Sequence, residues 1–368
     1  MGVPFLDLKR RYRAHRREIN SVIQKVFERG YFVLGPEVEA FEKIFSKFIG
    51  SRYTIGVNSG TDALILSMKV LDIGAGDEVI TISYTAPYTV HAIRLAGAKP
   101  ILIDVDSETM NIDISKIQTK ITKRTKAIIP VHLYGYPADM KPLVKLAKKY
   151  NLYVIEDAAQ AIGAQYYGKH AGTYGIMGCF SFYPVKNLGA VGDAGAIVTN
   201  DNKLAIKLKA MRTSGETKRC ISEYEGVSSR LDELQAGYLK WGMTKIRAMN
   251  ARRREIANMY IKELRDVPII LPPKETKNIK SSWHLFVIRT KKRDQLQKYL
   301  AKHGVSTLVH YPVPVHEQPI YRSLGYTKRD LPVTVQLERE ILSLPLFPEL
   351  TNIEVHRVCT LIKSFYRK

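Results

Sequence analysis

One lysine, Lys186, stands in a stretch that is otherwise mostly aromatic, apolar or small: Cys179-Phe180-Ser181-Phe182-Tyr183-Pro184-Val185-Lys186-Asn187-Leu188-Gly189. Burial among such side chains disfavours an ammonium and makes the neutral, nucleophilic amine available near neutral pH. A lysine after a strand is also an ordinary surface residue. A second stretch, Ile155-Glu156-Asp157-Ala158-Ala159-Gln160, closes a very apolar run with carboxylates. A carboxylate there needs a cationic or hydrogen-bonding partner to offset its desolvation. A protonated ring nitrogen would serve, and so would the backbone of the next turn. In a third stretch, Asn58-Ser59-Gly60-Thr61-Asp62-Ala63-Leu64, small and hydroxyl residues lead from a β-rich run into a helix-like one. Backbone N–H groups at such a helix start can face an anion, aided by the helix dipole. The same residues also read as a plain N-cap. Ser181, five residues before Lys186, could reach that anion too.

Together the three stretches supply a phosphate cradle, a carboxylate for a pyridine nitrogen and an amine for an imine, which is what a pyridoxal 5′-phosphate site requires. A carboxylate that keeps the ring nitrogen protonated preserves the ring as an electron sink.

These residues must be held by strands, and the pattern around them is that of an α/β protein. Runs at 53–57, 79–83, 100–105, 127–132, 152–156, 178–182 and 196–199 are short and mostly apolar on both faces, as buried parallel strands are. Helix-like runs alternate with them, the arrangement of a sheet covered on both faces. Met140, Leu143, Val144 and Ala147 recur with helical spacing after Pro137-Ala138-Asp139. Ligands of such sheets sit beyond the carboxyl ends of the strands, where the three stretches lie. After Leu231 a long basic helix runs to about residue 266, and 267–273 reads as a linker. Strands at 282–290 and 305–311 and helices at 293–303 and 353–366 then make a compact α+β unit. The expected division is a large domain, 1–240, and a small one, 241–368.

The chain has 368 residues, 45% of them hydrophobic, enough for more than one core. No run reaches the roughly 18 apolar residues of a spanning helix, and the basic N-terminus has no apolar segment of a secretory signal behind it. Cys179, Cys220 and Cys359 are far apart and at no metal-ligating spacing, so a reducing cytoplasm and no metal are expected. Lysines and arginines exceed carboxylates by 22. They are spread along the chain, with clusters at Lys9-Arg10-Arg11 and Arg252-Arg253-Arg254, and match no nucleic-acid motif. Most of them read as a solvated surface, and neither nucleic acid nor membrane is an expected partner.

In these blocks the chain resembles the DegT/StrS family of sugar aminotransferases, a branch of the fold type I, aspartate-aminotransferase-like enzymes. The resemblance extends through Gly35-Pro36, Gly76-Asp77-Glu78-Val79, Gly97-Ala98-Lys99-Pro100, Val131-His132-Leu133-Tyr134-Gly135, Ser229-Arg230-Leu231-Asp232-Glu233, His310-Tyr311-Pro312 and Leu344-Pro345. It implies a large, mostly parallel sheet flanked by helices, with a smaller α+β C-terminal domain. It makes Lys186 the lysine joined to the cofactor's aldehyde and later the proton shuttle, and Asp157 the partner of the pyridine nitrogen. Gln160 falls near the ring hydroxyl, and Ser59, Gly60, Thr61 and Ser181 at the phosphate. The resemblance also implies a homodimer, in which Ser228 and Arg230 of a second copy close the phosphate end. Arg230, His310, Tyr311 and His316 would meet a nucleotide-linked sugar, and L-glutamate would donate the amine.

Two positions depart from the family pattern. Ser228 stands where asparagine is common, and Ala86, in Tyr84-Thr85-Ala86-Pro87-Tyr88, stands where many members have a ring-stacking aromatic. Tyr88, or else Tyr84, is then expected to cover the cofactor ring. The segments 283–290 and 310–319 most resemble enzymes that aminate C3 of dTDP-linked 3-keto-6-deoxyhexoses. Amination at C4 of a UDP-, GDP- or dTDP-sugar is the alternative, and a regulatory or nucleic-acid-binding relative without the chemistry is a third reading.

Overall fold

The computed structural model describes residues 2–367. Each of the seven expected strands forms, and all join one sheet: β1 (Tyr53–Val57), β2 (Glu78–Ile82), β3 (Lys99–Ile103), β4 (Thr125–Ile128), β5 (Tyr153–Asp157), β6 (Met177–Ser181) and β7 (Gly195–Thr199). Their order is β1-β7-β6-β5-β4-β2-β3. Only β7 runs against the rest, pairing antiparallel with both β1 and β6. The fourth strand stops short of the expected 127–132, because Pro130 has no N–H to continue the ladder. Val131 then makes a lone bridge with Asp157.

Alternate residues of these strands feed two cores. Val79, Ala127, Ile155, Cys179 and Ile197 face one side, with α3 (Gly60–Val70), α4 (Tyr88–Leu95) and α6 (Asn202–Met211). On the other side, Ile80, Ile128 and Val154 meet α5 (Met140–Lys149), while Phe180, Phe182, Ala196 and Val198 meet α2 (Pro36–Ile49). Both faces are therefore apolar, which is why the strands read as continuous apolar runs.

The 32-residue helix α7 (Glu233–Leu264) passes through the expected boundary at 240 without a break. It begins in the core of the large sheet, through Ala236, Leu239 and Ile246, and ends in a second core, through Ile256, Tyr260 and Leu264. That second core is built on the antiparallel pair Phe286–Arg289 and Ile341–Leu344, with helices Arg293–Lys302 and Asn352–Arg367. Val3 joins it, so the N-terminus packs with the C-terminal unit.

Two expectations are corrected. The run 305–311 is not a strand: it has only bridges from Val305 to Val3 and from Leu308 to Ser343. The backbone of His310 turns away, giving its carbonyl to the hydroxyls of Tyr84 and Tyr134. The run 267–273 is more than a linker, since Ile270 exchanges both backbone hydrogen bonds, at 2.9 Å, with Arg289. Each basic cluster also contributes one buried arginine. Arg11 is buried against Glu349, and Arg253 is buried with its guanidinium donating to the carbonyls of Trp283, His284 and Leu346.

Candidate active site

Gly195, the first residue of β7, pairs with Val57 on one side and Ser181 on the other. That pairing sets the loop after β1 beside the end of β6. Ser59 caps α3 by accepting the N–H of Asp62 at 3.1 Å. Gly60 then touches Ser181 so closely that a Cβ on it would lie 2.7 Å from the serine Cβ. Ser59, Gly60, Thr61 and Ser181, expected at one phosphate, are thus gathered at one helix start, all part-exposed.

The strands β5 and β6 are parallel neighbours with Asp157 opposite Cys179. The loop that carries Lys186 therefore leaves the sheet beside Asp157. This loop is tight: the Lys186 N–H bonds the Tyr183 carbonyl at 2.8 Å, and a Cβ on Gly189 would strike the Pro184 carbonyl oxygen at 2.3 Å. Asn187 anchors the loop from beneath, donating to Asn250 Oδ1 at 2.9 Å and to the Ser282 carbonyl at 2.7 Å.

Burial lowers the Lys186 ammonium to about 8, against the opposing attraction of Asp157. The same desolvation acts on the histidines nearby, with the lysine charge adding to it. His310 falls to about 4, and His284, beside Asn187, falls well below its ordinary value. Both are neutral at pH 7, so no imidazolium competes with the lysine.

Asp157 is 6% exposed. Its Oδ2 accepts the Thr89 hydroxyl at 2.7 Å, and its Oδ1 the Ala159 N–H at 3.1 Å. Its neighbour Glu156 points into the interior. There it accepts N–H groups of Gly172, Tyr174 and Gly175 at 2.6–2.8 Å and lies 2.9 Å from His132 Nε2. Because His132 Nδ1 accepts the Ala138 N–H, Nε2 is the donor to Glu156.

Gln160 is oriented by its surroundings: Oε1 accepts the Tyr134 N–H at 2.7 Å, and Nε2 donates to the Tyr311 hydroxyl at 2.8 Å. Burial raises the phenols of Tyr84, Tyr134 and Tyr311, which stay protonated. Tyr84 is enclosed, while Tyr88, at the start of α4, is 62% exposed. Ser228 and Arg230 are exposed, whereas Ser229 between them is buried. The hydroxyl of Ser229 donates to Asp62 at 2.7 Å and accepts the Asn58 N–H at 3.1 Å. His316 is buried and fixed to Ser83 at 2.8 Å, at the end of β2.

Residues 13–363 match the model of the DegT/DnrJ/EryC1/StrS aminotransferase family. The chain belongs to this family. It is 45% identical over 363 residues, 99% of each chain, to the dTDP-3-amino-3,6-dideoxy-alpha-D-galactopyranose transaminase of Aneurinibacillus thermoaerophilus. It is 41% identical, over 100% of this chain and 99% of the relative, to a Geobacillus stearothermophilus protein named pleiotropic regulatory protein. The solved structure of S. venezuelae DesV in complex with a ketimine intermediate superposes with a TM-score of 0.97, at 41% identity, over 100% of this chain and 99% of that one. The large, mostly parallel sheet and its helices are therefore those of a solved aminotransferase, and this chain is an enzyme of that kind.

The residues of this aminotransferase fit pyridoxal phosphate. Glycine at 60 lets the start of α3 pack directly on Ser181, where a Cβ would lie 2.7 Å from the serine Cβ, and so keeps the hydroxyl and backbone groups of both segments together. Each oxygen of Asp157 takes one hydrogen bond, which leaves acceptor capacity for a ring N–H. Thr89, Asn187 and Ser229 escaped the sequence reading. Thr89 follows directly on the Tyr84–Tyr88 run, and Ser229 lies inside a block that carries the family resemblance. The hydroxyls of Thr89 and Ser229 were nevertheless not distinguishable from others along the chain.

Proposed function

We propose that this aminotransferase uses pyridoxal 5′-phosphate to move the amino group of L-glutamate onto C3 of a dTDP-linked 3-keto-6-deoxyhexose. The observation that carries the reading is a single constellation at the carboxyl ends of the strands: a lysine amine lowered to about 8 beside Asp157, and a helix start that Gly60 brings against Ser181. The likeness to a dTDP-3-amino sugar transaminase across 99% of both chains favours C3 over C4.

In this reading the cofactor, when bound, supplies the electron sink. The protein's own residues do the rest. Lys186 would hold the cofactor's aldehyde carbon and, as a free amine, would serve as the base for the donor's α-proton. Asp157 meets the ring nitrogen, and Gln160 offers an N–H to the ring hydroxyl. Ser59, Gly60, Thr61 and Ser181 bind the phosphate, and Tyr88 covers the ring. His310 and Tyr311 face the sugar, joined by His316 and by Arg230 of a second copy, whose Ser228 reaches the phosphate. The enzyme is then a cytoplasmic homodimer, with its large and small domains joined through α7.

The test uses purified protein, pyridoxal phosphate and L-glutamate with a panel of 3-keto and 4-keto sugar nucleotides, products being identified by mass and NMR. Amination of the 3-keto dTDP-sugars is expected, and amination confined to 4-keto substrates overturns the C3 reading. Lys186→Ala should lose both amination and the cofactor's visible absorbance. The regulatory name of one relative motivates one control. A protein that acquires no colour with pyridoxal phosphate, yet shifts DNA in a salt-sensitive way, would favour the non-catalytic reading.

A further inference from the structure

Thr89 is 1% exposed, in the first turn of α4, and its hydroxyl reaches across to a strand 68 residues away in sequence. A buried threonine in a helix commonly bonds its own backbone. This one instead donates to Asp157 Oδ2 at 2.7 Å, while Oδ1 is taken by the Ala159 N–H at 3.1 Å. Donors on both oxygens fix the plane of the carboxylate, which a single donor would leave free to swing about χ2. The backbone of Asp157 is fixed as well, its N–H bonded to the Pro130 carbonyl at 2.9 Å and its carbonyl to the His132 N–H at 3.0 Å.

We propose that Thr89 is a positioning residue of this aminotransferase, whose hydroxyl holds the Asp157 carboxylate in the plane from which it meets the cofactor's ring nitrogen. The inference rests on the reading of Lys186 and Asp157 above. Charge-assisted hydrogen bonds weaken steeply as they bend, so a carboxylate free to rotate would hold the ring proton less well. Tyr88, the residue before it, is the candidate cover for the ring. The first turn of α4 thus delivers both the ring's face contact and the orientation of its nitrogen partner from one rigid element.

Loss of the hydroxyl should act on the proton-transfer step more than on binding, so kcat should fall while KM for the amino donor holds. A threonine that merely satisfied a buried carboxylate would affect stability alone.

The experiment loads the wild type, Thr89→Ser, Thr89→Val and Thr89→Ala with cofactor labelled with 15N in the ring. In the wild type, a protonated 15N signal together with borohydride labelling of Lys186 tests the underlying reading by itself. Thr89→Ser should keep the nitrogen signal and kcat within about threefold. Thr89→Val and Thr89→Ala should move the signal toward the unprotonated position and lower kcat about tenfold or more, the loss of one hydrogen bond to a charged group. Thr89→Ala, which adds no bulk, covers the case in which the valine variant fails to fold. A wild-type nitrogen signal in the alanine variant, with only its melting temperature lowered, overturns the proposal.

Discussion

Gly60 and Ser181 meet where α3 begins and β6 ends, at a distance that leaves no room for a side chain on residue 60. A Cβ there would lie 2.7 Å from the serine Cβ and 3.2 Å from its Cα. Neither residue can yield easily, because Ser181 is paired with Gly195, and a Cβ on Gly195 would in turn strike the Ser59 carbonyl carbon at 2.4 Å. Gly60→Ala should therefore push the 59–61 loop out of register with Ser181. The expected result is a roughly 1–3 kcal/mol loss in stability, as for other overpacked sites, with cofactor affinity reduced more than stability alone would require. Urea unfolding and titration of the cofactor-free protein with pyridoxal phosphate measure the two separately.

The Lys186 amine sets a pH dependence with a definite sign. Burial draws it to about 8, and Asp157 opposes that fall. Capture of pyridoxal phosphate by the cofactor-free protein should accelerate as pH rises through about 8, where the neutral amine becomes the majority. Asp157→Asn removes the opposing charge, so its midpoint should lie lower. The folded protein binds fewer protons than the unfolded chain between about 8 and the ordinary lysine value of 10.5, so this group's contribution to stability improves as pH rises through that window. Stopped-flow absorbance across pH 6–11 decides the matter: a midpoint near 10.5, or an upward move in the asparagine variant, contradicts the assignment.

Glu156 and Asp157 are adjacent and chemically alike, yet the structure gives them different work. Glu156 is enclosed, with three backbone N–H groups and His132 directed at it. Glu156→Ala would leave those donors buried and unpaired, a loss of about 3–5 kcal/mol. Asp157→Ala should cost less stability and instead abolish transamination. Chemical denaturation of both variants, beside their activity, checks the contrast, and equal destabilisation would refute it.

The seven strands were legible because each is a short, mostly apolar run, largely buried on both faces. Lys186, Asp157 and Gly60 could be picked out as candidates because parallel sheets put chemistry in the loops at their carboxyl ends. Thr89 and Ser229 were not, since their partners Asp157 and Asp62 lie 68 and 167 residues away. A hydroxyl gives no local sign of which remote carboxylate it will meet. The run 305–311 misled for a similar reason: its alternation suits a strand, but the His310 carbonyl is claimed by two tyrosines from the large sheet's side of the molecule. The division at 240 was set by a change in composition, and α7 carries that change along one continuous helix.

Ser228 and Ser229 separate what a single subunit does from what a pair does. Ser229 is buried and ties Asn58 to Asp62, the two ends of the loop proposed to take the phosphate, within its own chain. Ser229→Ala should lower stability by about 1–3 kcal/mol, because the Asn58 N–H loses its acceptor, and cofactor affinity should fall with it at any protein concentration. Ser228 is exposed, and among the described residues its hydroxyl has no hydrogen-bond partner. If a second copy's Ser228 reaches the phosphate, Ser228→Ala should weaken cofactor binding without moving the melting temperature, and only at concentrations where sedimentation reports a dimer. A dimer whose cofactor affinity is unchanged by both Ser228→Ala and Arg230→Ala would show that each subunit closes its own phosphate site.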